Sequence, residues 1–287
     1  MQISPIKRVL LSLSRTVALA VVMVGCNNTP SASTESPSTE SPSTDTPSTE
    51  TPSTESPSTE TPSTETPSTD TPNVTNIQNI IAEHIEAVGG AQAIQKIKTI
   101  RKFNSVTTTA PTGNANGTAE EMFDLIADRG WLYLDLGLYK ESKGWTGQVG
   151  WKKSSFEPLR DLTAEELAAD KIGMPVSIIF ALKDTFGSVA FLPPTKSKFN
   201  GQNCVKVKMV GSPLDLYVNE KTKLIDGMEI PNFLRITLSN YQQVNGVQIP
   251  YNSKVEIFVV NTTVTSELKK VEFNGKLDVD RFLRPTN

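Results

Sequence analysis

Cysteine and histidine are nearly absent from this sequence. Two cysteines, Cys26 and Cys204, and one histidine, His84, stand in 287 residues. So few cysteines exclude a disulfide framework, and a single histidine without cysteine partners makes a poor metal site. Ser-His-Asp catalysis would have to use His84, which lies at the centre of an apolar helical face and suits that role badly. No Gly-rich phosphate loop is present. Aromatic residues make up 7% of the chain. No apolar run reaches the roughly 20 residues that a membrane span needs.

The longest apolar run sits near the start. Lys7, Arg8 and Arg15 precede Val17-Ala-Leu-Ala-Val-Val-Met-Val24, and Met23-Val24-Gly25-Cys26 closes the stretch. A basic start, an apolar core and a small-residue end are the order of a secretory signal peptide. Cysteine directly after that end resembles the lipobox of bacterial lipoproteins. The resemblance implies cleavage before Cys26, acylation of its thiol, and a mature chain anchored to a membrane. Met23 replaces the leucine usual at that position, and Asn27 is not the aspartate linked to inner-membrane retention. A periplasm-facing outer-membrane location is the resulting expectation.

Residues 26–72 are compositionally simple. From Glu35 a pentapeptide repeats as ESPST, DTPST or ETPST up to Asp70-Thr-Pro72. The repeats hold no aromatic or branched aliphatic residue, so nothing in them offsets the entropy of folding. Regular prolines and acids stiffen and extend such a chain. The 46 residues from Asn27 to Pro72 could approach a contour of roughly 140 Å. The tract reads as a tether, and its composition is also that of a glycosylated Ser/Thr/Pro stalk. The signal holds three basic residues and no acid, the repeats eight acids and no base, which leaves 25 basic and 23 acidic residues for 73–287. That near-neutral domain has no basic excess for nucleic acid.

Residues 73–287 are enough for one domain standing on its own core. Ile77, Ile80, Ile81, His84, Ile85 and Val88 recur on one helical face over 75–88, and Gly89-Gly90 ends it. A short second helix follows, with Ala93, Ile94 and Ile97 inward. A third begins at the capping pattern of Thr163 and Glu166 and runs with interruption to about Lys183. Its end, 176–182, is apolar nearly all round. The rest reads as strands: 98–109, 117–127, 131–139, 143–153, 188–192, 205–209, 214–218, 223–230, 234–244, 247–259 and 262–273. Asn245-Gly246 between two alternating runs is a strong hairpin signal. Consecutive hairpins with few helices predict an α+β fold on a large, curved antiparallel sheet.

Several pieces along this domain resemble the LolA/LolB-like, outer-membrane lipoprotein-sorting superfamily. They are Ile81–Lys98, the Gly147–Trp151 segment with Leu162–Leu167, Leu216–Leu224 and Tyr241–Pro250. The resemblance implies an incomplete β-barrel whose helices cover a hydrophobic cavity for acyl chains. The family's functional arginine and its protruding receptor-loop leucine find no match among these motifs.

The candidate ligand-contacting residues are the aromatics Trp131, Tyr133, Trp145, Trp151, Phe180 and Phe186. A curved sheet under few helices is hard to close-pack, and an aromatic-lined hollow would take apolar chains. Plain core packing is the alternative for all six. Glu120 and Glu121 point to opposite faces of a strand, and Asp278 and Asp280 sit in a polar stretch; all four read as solvated surface. Cys204, in phase with Lys206 and Lys208, reads as a half-exposed, unreactive thiol. No catalytic constellation, metal site or cofactor is legible. The expected function is non-enzymatic: a membrane-anchored envelope domain that binds a lipid or acylated protein, to carry or sense it. An interaction module with a solid core, meeting an envelope protein, is the alternative.

Overall fold

The computed structural model describes residues 77–172, 190–210 and 214–286. The chain begins with helices α1 (Ile77–Val88) and α2 (Ala91–Gln95). Five strands follow: β1 (Thr99–Ala110), β2 (Gly113–Asp124), β3 (Arg129–Asp135), β4 (Lys140–Thr146) and β5 (Val149–Ser154). The two-residue β6 (Arg160–Asp161) leads to helix α3 (Ala164–Ile172). The second half comprises β7 (Thr195–Phe199), β8 (Gln202–Lys208), β9 (Asp215–Asn219), β10 (Ile225–Ile230), β11 (Leu234–Val244), β12 (Val247–Ile257) and β13 (Thr262–Phe273). Every neighbouring pair is antiparallel, in the order β6-β5-β4-β3-β2-β1-β13-β12-β11-β10-β9-β8-β7. The last strand therefore joins the two hairpin series at the centre of one open sheet.

Local chemistry sets these boundaries. Ile80, His84 and Val88 form the buried stripe of α1. Gly89 and Gly90 end the helix in positive φ, and the Gly90 N–H returns to the Ile85 carbonyl at 2.9 Å. A Cβ at Gly89 would stand 2.1 Å from the Gly246 carbonyl oxygen, so this approach of helix to hairpin requires glycine. Asn245 and Gly246 both have positive φ, as the tight hairpin turn demands. Asn200 and Gly201 repeat this in the β7–β8 turn.

The structure changes several of the expected boundaries. The alternating run 131–139 is not one strand. It stops at Asp135, whose carboxylate accepts the Gly137 N–H at 2.9 Å, and Leu136 N–H pairs with the Tyr139 carbonyl to turn the chain. The run 143–153 is likewise a hairpin, β4–β5, turning at Gly147 with positive φ. The third helix ends at Ile172 among the described residues, and its expected continuation to Lys183 lies outside them. Of the strand expected at 188–192, the described part makes one bridge, Phe191 to Met209. Val259 leaves the buried face of β12 in a 3-10 turn and is exposed.

The concave face carries the main core. Under α1, Ile80 packs with Val207, Leu216, Val218, Ile225, Leu234 and Ile257. Towards β1–β4, Val88 and Ile97 pack with Ile100, Phe123, Trp145, Leu167 and Val247. The convex face of β2, β3 and β5 is covered as well. The C-terminal segment crosses it and sets Phe282 among Met122, Trp131 and Trp151.

Candidate functional site

β4 supplies the key concave-face residues, because alternate positions of a strand share a face. Glu141, Lys143 and Trp145 lie on the same side of β4, opposite Ser154, Lys152 and Gly150 of β5. Trp145 is 1% exposed and sits 6.0 Å from the Phe123 ring. Its indole lies flat over β3 because position 130 has no side chain: a Cβ there would be 2.0 Å from the ring. Leu167 of α3 closes over this cluster. Trp145 Nε1–H is buried and has no hydrogen-bond partner among the described residues. An unpaired buried donor costs about 1–3 kcal/mol, so an acceptor placed beside it gains that amount.

Further along the same face the surface becomes charged. Tyr139 donates to Glu141 Oε2 at 2.5 Å, and Lys152 Nζ lies 3.0 Å from the same oxygen. Lys143 pairs with Asp170 of α3. Burial holds the Asp170 carboxyl above the usual carboxylate range despite that lysine. Burial and the Glu141 charge push the Tyr139 phenol up. Arg160 grips Glu166 with two contacts of 2.7 Å, and Lys171 reaches Asp128 at 2.6 Å. Among the described side chains, Leu167 and several ion pairs fix α3 to the sheet. The concave face is apolar around Trp145 and ionic around Glu141, not uniformly greasy.

The four described members of the six sequence-chosen aromatics do not converge. Trp145 is on the concave face. Trp131, Tyr133 and Trp151 are on the convex one, the first two ring-stacked at 6.1 Å and all in or against the cluster around Phe282. Phe180 and Phe186 lie outside the described residues. What the sequence reading missed is Phe123, Leu167 and the charged row of Glu141, Lys143 and Lys152. A helix-capping pattern at Thr163 did mark α3: Glu166 N–H donates to Thr163 Oγ1, and Thr163 N–H to Glu166 Oε2.

The remaining candidates resolve individually. His84 is 2% exposed and donates from Nδ1 to the Lys223 carbonyl at 2.9 Å, a core histidine whose pKa burial lowers. Cys204 is fully buried rather than half exposed, because Phe199 and Tyr217 cover the convex face beside it. Burial, with Asp226 3.5 Å away, pushes its thiol up to about 12. Glu120 and Glu121 do face opposite ways, but neither is simply solvated. Glu120 holds Arg101 and Arg281, and Glu121 holds Lys102 and Asn104. Asp278 and Asp280 are exposed.

The sheet end where β3, β5 and β12 finish is apolar at its tips. Leu138 is 78% exposed in the β3–β4 turn, with Phe156 after β5 and Val259 after β12 also exposed.

No protein-family profile matches the chain, and no curated protein matches it. Solved structures do. A DUF1329 family protein from Desulfovibrio piger superposes with a TM-score of 0.50 at 9% identity, over 72% of this chain and 97% of that one. This protein shares that fold. A domain assigned to outer membrane lipoprotein sorting, from Vibrio parahaemolyticus, gives 0.49 at 12% identity over 71% and 94%. A LolA superfamily protein from Nitrosomonas europaea gives 0.45 at 10% over 71% and 96%. At such identities the likeness is one of fold alone.

Proposed function

We propose that this is an envelope lipoprotein whose half-barrel binds a lipid or acyl chain on its concave face, to carry or sense it. Cys26 anchors the chain, the repeat tract to Pro72 spaces the domain from the membrane, and residues 73–287 form the LolA-like binding domain. A periplasm-facing outer-membrane location fits the lipobox and Asn27. The reading is non-enzymatic: burial of apolar area supplies the affinity, at about 25 cal/mol per Å².

The observation that carries it is the unpaired indole N–H of Trp145 inside an apolar cluster. An ester or amide oxygen at the head of an acyl chain would satisfy that donor while the chain lies along Phe123 and Leu167. The exposed Leu138, Phe156 and Val259 tips would meet the bilayer during exchange.

Native mass spectrometry of the full-length protein, purified gently from its host, tests the reading. A lipid or acyl adduct is expected, reduced at least tenfold by Trp145→Arg in a variant that keeps its thermal transition. A bare mass that persists after adding phospholipid vesicles would overturn it and favour the solid-cored interaction module. The dense packing of α1 against Val207, Leu216 and Ile225 is the observation on that module's side.

A further inference from the structure

The sheet divides along one line. β12 and β13 pair only over Asn252–Ile257 and Thr262–Glu267. Beyond that, Val247–Pro250 pairs with β11 on its other side, and Leu268 and Lys270–Phe273 pair with β1 on theirs. No described strand pairs with the two edges that then face each other. Five unpaired residues at about 3.3 Å each make a slot roughly 17 Å long.

Backbone irregularities gather where the slot begins. The β1–β13 register slips by one residue at Lys269. Asn240 of β11 takes positive φ, and the Asn240–Tyr251 pair is missing from the β11–β12 ladder, whose register continues unchanged on either side. Strands that would otherwise continue side by side are turned apart here.

The slot has a floor. Val88 and Ile97 of the helical cover pack with Val247, and Ala93, Ile94, Val271 and Phe273 adjoin them. Its open end is fixed by the Gly89–Gly246 approach and by Asn274, which accepts from Lys98 N–H at 2.7 Å and donates to the Lys96 carbonyl at 3.0 Å. Two surface depressions lie on the same line. One of about 500 Å³ is at the mouth, lined by Ala93, Ile97, Gly246 and Phe273. One of about 360 Å³ is at the apex, lined by Ser239, Asn252, Thr265 and Glu267.

The outer edges of the sheet are guarded in the usual ways. β6 is two residues long, and β7 carries Lys196 and Lys198. The β12 edge, Val247-Gln-Ile-Pro-Tyr251, has no charge; alternate residues face away from β11, so Gln248 offers both backbone groups to the slot and Pro250 its carbonyl. Lys269 and Lys270 of β13 are each paired with a glutamate, at 2.6 and 2.5 Å.

We propose that this slot accepts an extended segment of a partner protein, which adds as a strand between β12 and β13. Facing backbone edges select a polypeptide over any other ligand, because only a strand offers donors and acceptors at matching spacing. Alternate residues of the segment, small and apolar, would sit on Ala93 and Ile97. This is a second site: its mouth at Gln92, Gly246 and Asn274 lies outside the apolar cluster of Trp145, while Val88, Ile97 and Val247 of its floor belong to that cluster.

Peptide display tests it. Random twelve-residue peptides on phage are selected against the full-length, detergent-solubilised protein, and the selected peptides are synthesised. They are expected to slow amide exchange at least tenfold in 247–251 and 268–273. Gln92→Trp, at the exposed mouth, should weaken them at least tenfold and leave the lipid adduct unchanged; if that variant does not fold, Lys96→Trp at the same mouth replaces it. Three results overturn the proposal: selection that yields no binder, protection confined to β7 or the concave face, and protection that appears on raising protein concentration without peptide. The last would make a second copy of this chain the occupant.

Discussion

Trp151 and Phe282 are joined across the sheet's convex face: the indole Nε1 donates to the Phe282 carbonyl at 3.1 Å, over 131 residues of sequence. The Phe282 ring is 1% exposed, and the Arg281 guanidinium stands 4.7 Å from the Trp131 ring. Arg281 also reaches Glu120 at 3.2 Å, and Arg284 reaches Asp161 at 2.6 Å. The C-terminal segment therefore completes the core instead of trailing from it. Phe282→Ala should cost roughly 3–5 kcal/mol, as truncation of a buried aromatic does. Removing everything after Phe273 should in addition shift tryptophan fluorescence to longer wavelength, because Trp131 and Trp151 meet water. Urea titration followed by fluorescence checks both, and an unchanged spectrum would place the segment outside the core.

That relationship also explains what the sequence could and could not tell. Helix α1, the Asn245-Gly246 hairpin and the run of antiparallel strands were legible because each is encoded within about a dozen residues. Which face of β3 is concave was not. Trp131 and Leu132 are both apolar, and the partner that covers Trp131 lies far away at Phe282. The strict alternation of 131–139 concealed the turn, since Asp135, Gly137 and Leu138 keep the pattern's phase while the backbone reverses. Cys204 sits in phase with two lysines and still is buried, because Phe199 and Tyr217 arrive from neighbouring strands. Lys143 and Lys152 have the composition of a solvated strand, and only α3 and the strand's own Glu141 make them interior. Trp145 alone among the described candidates was placed on the concave face, where Gly130 leaves it room.

Cys204 should be chemically silent in the native state. Its thiol is fully buried, and its pKa of about 12 leaves almost no thiolate at neutral pH. In a Cys26→Ser form, a disulfide reagent at pH 8 should titrate no thiol without denaturant and one thiol in 6 M urea. One rapid equivalent in the native protein would mean that the convex cover of Phe199 and Tyr217 opens.

His84 sets a pH dependence with a defined sign. Burial lowers its folded pKa below the unfolded value, and the hydrogen bond to the Lys223 carbonyl opposes that only in part. The folded state thus binds fewer protons than the unfolded state below about pH 6.5. Stability is complete above that pH and falls as pH drops through the folded pKa. His84→Gln, which can still donate to Lys223, should flatten this decline. Urea midpoints between pH 7.5 and 5 measure it; equal slopes in both proteins would assign the decline to carboxylates instead.

The buried pair of Lys143 and Asp170 fixes α3 to β4, with side-chain exposures of 8% and 12%. Removing one member strands the other's charge in the interior, which costs about 3–5 kcal/mol, whereas replacing both with apolar residues is often nearly neutral. Lys143→Met alone should therefore lower the urea midpoint strongly, and Lys143→Met with Asp170→Leu should recover most of the loss. The double variant should also raise affinity for acyl chains, because it extends the apolar surface around Trp145 towards Glu141. A loss in the double variant equal to the sum of the singles would show that the two charges do not interact, and that the remaining contacts of α3 hold it in place.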